Sequence, residues 1–262
     1  MLLMRFKSKD HDFTVKVAIF DIDDTLLNDW PNGIHSLHQE ARVMAANKVG
    51  KKFKIEILAS SNHDIAKRAY ITAPEHNENS IVWQTLILLG IVSSDKIDSS
   101  NIIYKELIYY KHKYYEDLLI DNDYSFEGSV VFVKKLATDV LGSKLSIASN
   151  ARKADIDTFL VSSKLKIYFK EKNIVSKESI NKSKPHPEAF EMAFNTLNLR
   201  PQDKQYVCAF EDHPRGIESA KQAGLFTLGF AIRHTKKELL SLKNPPDFVY
   251  SNYKELFNYF IK

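Results

Sequence analysis

Asp21, Asp23 and Asp24, with Thr25 directly after them, close the apolar, β-branched run of VKVAIFDIDDTLL, residues 15–27. Carboxylates crowded at the end of a buried strand repel one another, and a hard cation among them relieves that repulsion. Open α/β sheets bind their ligands outside the carboxyl ends of the strands, which is where this cluster would stand. Two acids spaced two residues apart divide the labour of phosphoryl transfer. One attacks phosphorus to form an aspartyl-phosphate. The other protonates the leaving oxygen and then activates water. A solvated acidic turn would carry the same letters, so the segment gains weight only from its companions.

Three companions follow in order. Ser149 and Asn150 come after the strand-like LSIA and offer a hydroxyl, an amide and the opening N–H groups of a helix to an anion, although a plain N-cap pair reads the same way. Lys184 lies in SKPHPEAF, where prolines restrain the backbone and a fixed ammonium would offset charge on a transferring phosphoryl group. Its plain alternative is an exposed lysine before a helix. Glu211 and Asp212 close a second apolar run in FEDHPRGI, and Asp212 would complete an oxygen shell around the cation with Glu211 as ligand or support. His213 is read as a surface or capping residue in a loop already rich in carboxylates.

The elements that must position these groups alternate. Buried strands are expected at Val15–Phe20, Leu145–Ala148, Tyr206–Phe210 and Phe226–Phe230, with Phe248–Tyr250 as a fifth. Helices are expected at Gly128–Leu141, Arg152–Ser162, Pro187–Leu197, Arg215–Ala223 and Tyr253–Ile261. Gly142 and Gly224 stand as C-terminal caps, Pro187 opens a first turn, and Asn252 with Glu255 would form a capping box. Such alternation predicts an α/β fold, a doubly wound parallel sheet covered on both faces.

Residues 28–126 break the rhythm and read as helices, clearest at His35–Val49, Asn62–Ala69, Ser80–Leu89 and Ile102–Ile120. Leaving and re-entering the chain beside the first acids, they predict a helical domain over them. Along Ile102–Ile120, Tyr104, Leu107, Ile108, Tyr114, Tyr115 and Leu118 share a face, and Lys111 falls on it. Lys111 either snorkels from a core stripe or contacts substrate. His35, His38 and Trp30 lie at the entry to this region. No role follows for the two histidines, and Trp30 is read as a hinge anchor or a substrate wall.

The 262 residues are 44% apolar with 16 Phe and 12 Tyr, enough for a substantial core, and the net charge is +4 without a concentrated basic stripe. That distribution argues against nucleic acid as a partner and suits an anionic metabolite. The single cysteine, Cys208, reads as an inert core thiol in a reducing, cytoplasmic setting. MLLMRF is too short for a secretory apolar region, and no stretch approaches the ~20 apolar residues of a membrane span.

In their order and placement, DIDDTL, SIASN, KPHPEAF and FEDHPRGIESAKQAG resemble the haloacid dehalogenase-like (HAD) hydrolase superfamily, particularly its phosphoglycolate phosphatase and β-phosphoglucomutase branch. The resemblance covers roughly 13–34 and 128–252. It implies a Rossmann-like core at 1–27 and 128–262 with a helical cap at 28–127. It implies Asp21 as nucleophile and Asp23 as general acid/base. Mg²⁺ would be held by Asp21, the carbonyl of Asp23, and Asp212 with Glu211. The phosphoryl oxygens would be bound by Ser149, Asn150 and Lys184. A carboxylate at position 23 argues against dehalogenation. Asp24 replaces the glycine usual in mutase-like members, which tilts the reading towards hydrolysis, and His213 replaces a frequent serine. If Lys111 contacts substrate, it would act as a cap lysine does in the mutase-like branch, although the helical region resembles that cap only in position and helical character. The expected activity is a Mg²⁺-dependent phosphatase acting on a small phosphorylated metabolite, as monomer or homodimer. A phosphomutase using the same intermediate is the alternative, and a non-catalytic binding protein on this core the remaining one.

Overall fold

The structure, a computed structural model, describes residues 3–7, 12–75, 77–141 and 144–261. The chain opens with β1 (Leu3–Lys7) and β2 (Asp12–Val15), an antiparallel pair in which Met4 faces Val15 and Phe6 faces Phe13. β3 (Val17–Phe20) is buried at all four positions. Helices α1 (Leu37–Phe53), α2 (Glu56–Ala59), α3 (His63–Thr72), α4 (Glu78–Leu88) and α5 (Ile102–Ile120) follow. The remainder alternates α6 (Ser129–Lys135), β4 (Leu145–Ala148), α7 (Lys153–Ser162), β5 (Ile174–Val175), α8 (Glu188–Thr196), β6 (Val207–Glu211), α9 (Pro214–Gln222), β7 (Phe226–Phe230), α10 (Lys236–Leu240), β8 (Phe248–Tyr250), α11 (Tyr253–Leu256) and β9 (Phe260–Ile261). Two compact units result, Met1–Asn28 with Asp123–Lys262, and Asp29–Asn122.

In the first unit six strands run in the order β5-β4-β3-β6-β7-β8, every pairing parallel. Side chains alternate between faces along a strand. Val17 and Ile19 of β3 accordingly join Phe190 and Phe194 of α8 and Ala220 of α9 in one core. Phe20 belongs to the other face, stacked on Phe210 at 4.4 Å between ring centroids and edge-on to Phe132 at 6.5 Å. Burial on both faces explains the unbroken apolar runs. Cys208 is buried with its thiol pushed up by that burial, as an inert core residue requires.

The sequence missed a second sheet, β2-β1-β9. The start of the chain is a strand, and the expected helix Tyr253–Ile261 stops after α11, passes through a 3₁₀ turn at Phe257–Tyr259 and becomes β9. β9 pairs with β1, Met4 opposite Phe260. Ring packing accounts for the departure: Phe6 stacks on Tyr259 at 4.6 Å beside Phe226 and Phe248, and a continued helix would forfeit the pairing. The expected helix Gly128–Leu141 divides into α6 and a π-helical stretch, Leu136–Leu141. Gly142 lies outside the described residues. Asn252 does cap α11, accepting from the Glu255 N–H at 3.2 Å, whereas Pro187 sits one residue before α8.

The second unit is helical throughout its regular structure, with Ala45, Val49, Leu58, Trp83, Leu86 and Leu107 in its core. α1 starts one residue after Ser36, which forms a capping box with Gln39. The buried stripe of α5 is Tyr104, Leu107, Lys111, Tyr115 and Leu119. Leu119 thus replaces the expected Leu118 as its last member, because a 3.6-residue repeat drifts over a helix of this length. Among the described residues no helix is long and apolar enough to cross a membrane.

Candidate active site

β4, β3 and β6 lie side by side and parallel, so their carboxyl ends share one edge of the sheet. Asp21 leaves β3 at that edge, its N–H donating to Phe210 of β6 at 3.0 Å. The loop turns tightly on the Ile22 carbonyl, which accepts from the N–H groups of Thr25, Leu26 and Leu27. Asp24 sits there at φ 55°, a left-handed conformation that a short polar side chain tolerates. Ser149 follows β4, Glu211 ends β6 and Asp212 follows it.

Oxygens of Asp21, Glu211 and Asp212 lie within 4.8 Å of one another, all three residues buried. The Lys184 ammonium donates to Asp21 Oδ1 at 2.5 Å and to Glu211 Oε1 at 2.7 Å. Glu211 Oε2 accepts from the N–H groups of Asp212 and His213 at 2.9 and 3.0 Å. A side chain at Gly216 would put its Cβ 1.7 Å from Glu211 Oε1, so only glycine leaves that carboxylate its seat. Thr25 donates its hydroxyl to Asp212 Oδ1 at 3.2 Å.

Burial pushes the Asp21 carboxyl well above the usual carboxylate range, Lys184 pulling it back while Glu211 and Asp23 push it further. Asp212 is raised by burial and then by Glu211, Asp21 and Asp24, against the Thr25 hydrogen bond. Burial alone would lower the Lys184 amine, but Asp21 and Glu211 outweigh it and hold it above its usual range. Three buried carboxylates thus cluster where one ammonium reaches two of them, and the surplus negative charge is what a divalent oxygen-seeking cation would satisfy. The donor set fits Mg²⁺.

Of the residues singled out from the sequence, Asp21, Lys184, Glu211 and Asp212 come into mutual contact or close range. Asp23 stands half-buried on the same loop, near enough to act on Asp21 through its charge. Ser149 is buried, its Oγ accepting from the Ala151 N–H at 3.0 Å. The exposed Asn150 accepts the Lys184 N–H at 3.3 Å, linking those two loops. His213 is the N-cap of α9, its Nδ1 accepting from Arg215 N–H at 3.2 Å. Arg215 escaped the sequence reading, yet its guanidinium donates to the Lys184 carbonyl at 2.7 Å, and Ser219 Oγ donates to the His186 carbonyl at 2.6 Å. The only signal for either was its place within the last motif.

Lys111 does not snorkel. Its side chain is 3% exposed and its amine lies 3.1 Å from Glu78 Oε2. Glu78 also receives Arg42 in a two-pronged pair at 3.1 and 3.0 Å. Sequence reasoning missed this because Glu78 and Arg42 stand on other helices. His38 stacks on Tyr115 at 4.0 Å between centroids, and His35 on His63 at 3.7 Å. Trp30 is half-buried.

A parallel sheet with carboxylates and a lysine gathered at one edge suits phosphoryl transfer, and known proteins give the family. The haloacid dehalogenase-like hydrolase family matches residues 18–230. A phosphoglycolate phosphatase of Salmonella typhimurium is 21% identical over 248 residues, 92% of this chain and 91% of that protein. A validoxylamine A 7'-phosphate phosphatase of Streptomyces hygroscopicus is 33% identical over 66 residues, 25% of this chain and 30% of that relative's length. Among solved structures, a HAD hydrolase of family IA, variant 3, from Entamoeba histolytica superposes with a TM-score of 0.69 at 20% identity, covering 92% of this chain and 95% of that one. A β-phosphoglucomutase from Clostridium difficile gives 0.63 at 18% identity, covering 94% and 95%. The chain belongs to the haloacid dehalogenase-like hydrolase family, and it is an enzyme of the phosphatase type.

Proposed function

We propose that this enzyme hydrolyses a small phosphorylated metabolite with Mg²⁺ through an aspartyl-phosphate on Asp21. The observation that carries the reading is the buried convergence of Asp21, Glu211 and Asp212, with Lys184 paired to the first two. An Asp21 oxygen attacks phosphorus, and the bond from phosphorus to the leaving oxygen breaks. Asp23 gives that oxygen a proton. Water then attacks the phosphoryl group and yields its proton to Asp23, releasing inorganic phosphate and restoring the Asp21 carboxylate. Lys184 offsets charge on the transferring group, and Ser149 and Asn150 bind its oxygens. Asp21, Asp212 and the Asp23 carbonyl would hold the cation, which neutralises phosphoryl charge when bound. Both Glu211 oxygens already accept hydrogen bonds, which supports a role in holding Lys184 and the Asp212 loop in place. The helical unit is assigned the choice of substrate, and Asp24 favours hydrolysis over return of the phosphoryl group to a sugar.

The test is release of phosphate from a panel of phosphorylated metabolites, with Mg²⁺ and with chelator. Asp21→Asn should lower turnover at least ~10³-fold with the fold intact, since an amide is a poor nucleophile. Wild-type turnover of an aryl phosphate by that variant would remove Asp21 from its role.

A further inference from the structure

The end of the chain reaches the acid loops from a side that no motif marks. The Tyr253 hydroxyl, at the start of α11, donates to the Thr25 carbonyl at 2.9 Å, and the Thr25 hydroxyl donates to Asp212 Oδ1 at 3.2 Å. These contacts span 228 and 187 residues of sequence. Tyr253 is 2% exposed and Thr25 1%, so water does not compete for either bond. The phenol is aimed by packing. Its ring lies 4.7 Å from that of Phe230 and 5.3 Å from that of Phe132. Gly128, at φ 86°, presents no side chain to it, and a Cβ there would come within 3.2 Å of the Tyr253 Cβ. Burial, with Asp212 and Asp21 nearby, pushes the phenol well above its ordinary value.

We propose that Tyr253 and Thr25 are positioning residues that set the orientation of Asp212 for the divalent cation, Tyr253 acting through the Thr25 carbonyl. This rests on the metal-assisted reading above. Thr25 joins the two acid loops because it belongs to the Asp21 loop and binds the Asp212 side chain. Tyr253 in turn fixes where the Thr25 backbone sits. A hydrogen bond that merely satisfied a buried phenol would support stability and leave cation affinity alone.

The discriminating measurement is calorimetric titration of Mg²⁺ into the whole protein. Tyr253→Phe, which removes one oxygen, should weaken Mg²⁺ binding about three- to tenfold, the worth of one lost buried hydrogen bond. Thr25→Val should do the same or more, and Thr25→Ser should keep wild-type affinity. The double variant Tyr253→Phe with Thr25→Val should bind no more weakly than Thr25→Val alone, because the two groups act in series. Equal Mg²⁺ affinity in wild type and Tyr253→Phe overturns the relay while leaving the metal site standing. No uptake of Mg²⁺ by the wild type overturns both.

Discussion

At the scale of single residues, the site depends on a side chain that is missing. Glu211 packs against the bare α-carbon of Gly216, and in that seat it receives Lys184 and two backbone N–H groups. Gly216→Ala should therefore displace the carboxylate, costing about 1–3 kcal/mol as overpacking does and cutting phosphate release at least ~10-fold. Urea unfolding and steady-state kinetics would check both, and a wild-type rate would show that the Glu211 seat is dispensable. The acids themselves were readable from their order and from the strands before them. What they touch was not. Glu211 reads as one carboxylate among several, and nothing in EDHPRG tells that the glycine is its wall.

At the scale of elements, three helices meet around one partly buried acid. Arg42 of α1 and Lys111 of α5 both pair with Glu78 of α4. Burial alone would raise the Glu78 carboxyl, but Arg42 and Lys111 outweigh it and hold it well below its usual range. Its folded pKa lies below its unfolded one, so the stability it contributes is present above about pH 4.5 and lost as pH falls through the folded value. Glu78→Gln strands two cations and should cost about 3–5 kcal/mol at pH 7. The variant should also lack this group's share of the stability that the wild type sheds as pH falls below about 4.5. Urea titrations followed by circular dichroism at several pH values would measure the difference, and parallel curves for the two proteins would refute it. The apolar stripe of α5 put Lys111 on the packed face but left open whether it snorkels outward or meets substrate. Its partner could not be read, because Glu78 lies on another helix and the pairing is set by how the helices pack.

At the scale of the whole molecule, the proposed cation site at the acid-rich edge of the sheet should make stability depend on Mg²⁺. On the proposed reading Mg²⁺ would bind the folded arrangement of Asp21 and Asp212, with Glu211 beside them, and would find no such arrangement in the unfolded chain. A Mg²⁺ concentration about 100 times the dissociation constant should add about 2.7 kcal/mol to the unit that holds the site. Scanning calorimetry should show its transition move up by several degrees with Mg²⁺ and return with chelator. Asp212→Asn should lose most of that response. An unchanged transition in the wild type would count against the cation site.

Patterns local in the chain were determined by the sequence itself: apolar runs that make buried strands, a helical insertion after the first, and acids, hydroxyl and lysine at strand ends in an order that marks the family. Each follows from a few neighbouring residues and their periodicity. The tertiary structure alone decided which of these groups meet. The Lys184 ammonium reaches Asp21 across 163 residues, Tyr253 reaches Thr25 across 228, and β1 finds β9 at the other end of the chain. The physical reason is that contacts at such separations are selected by packing the entire core, and a residue type carries no record of the partner that packing will bring to it.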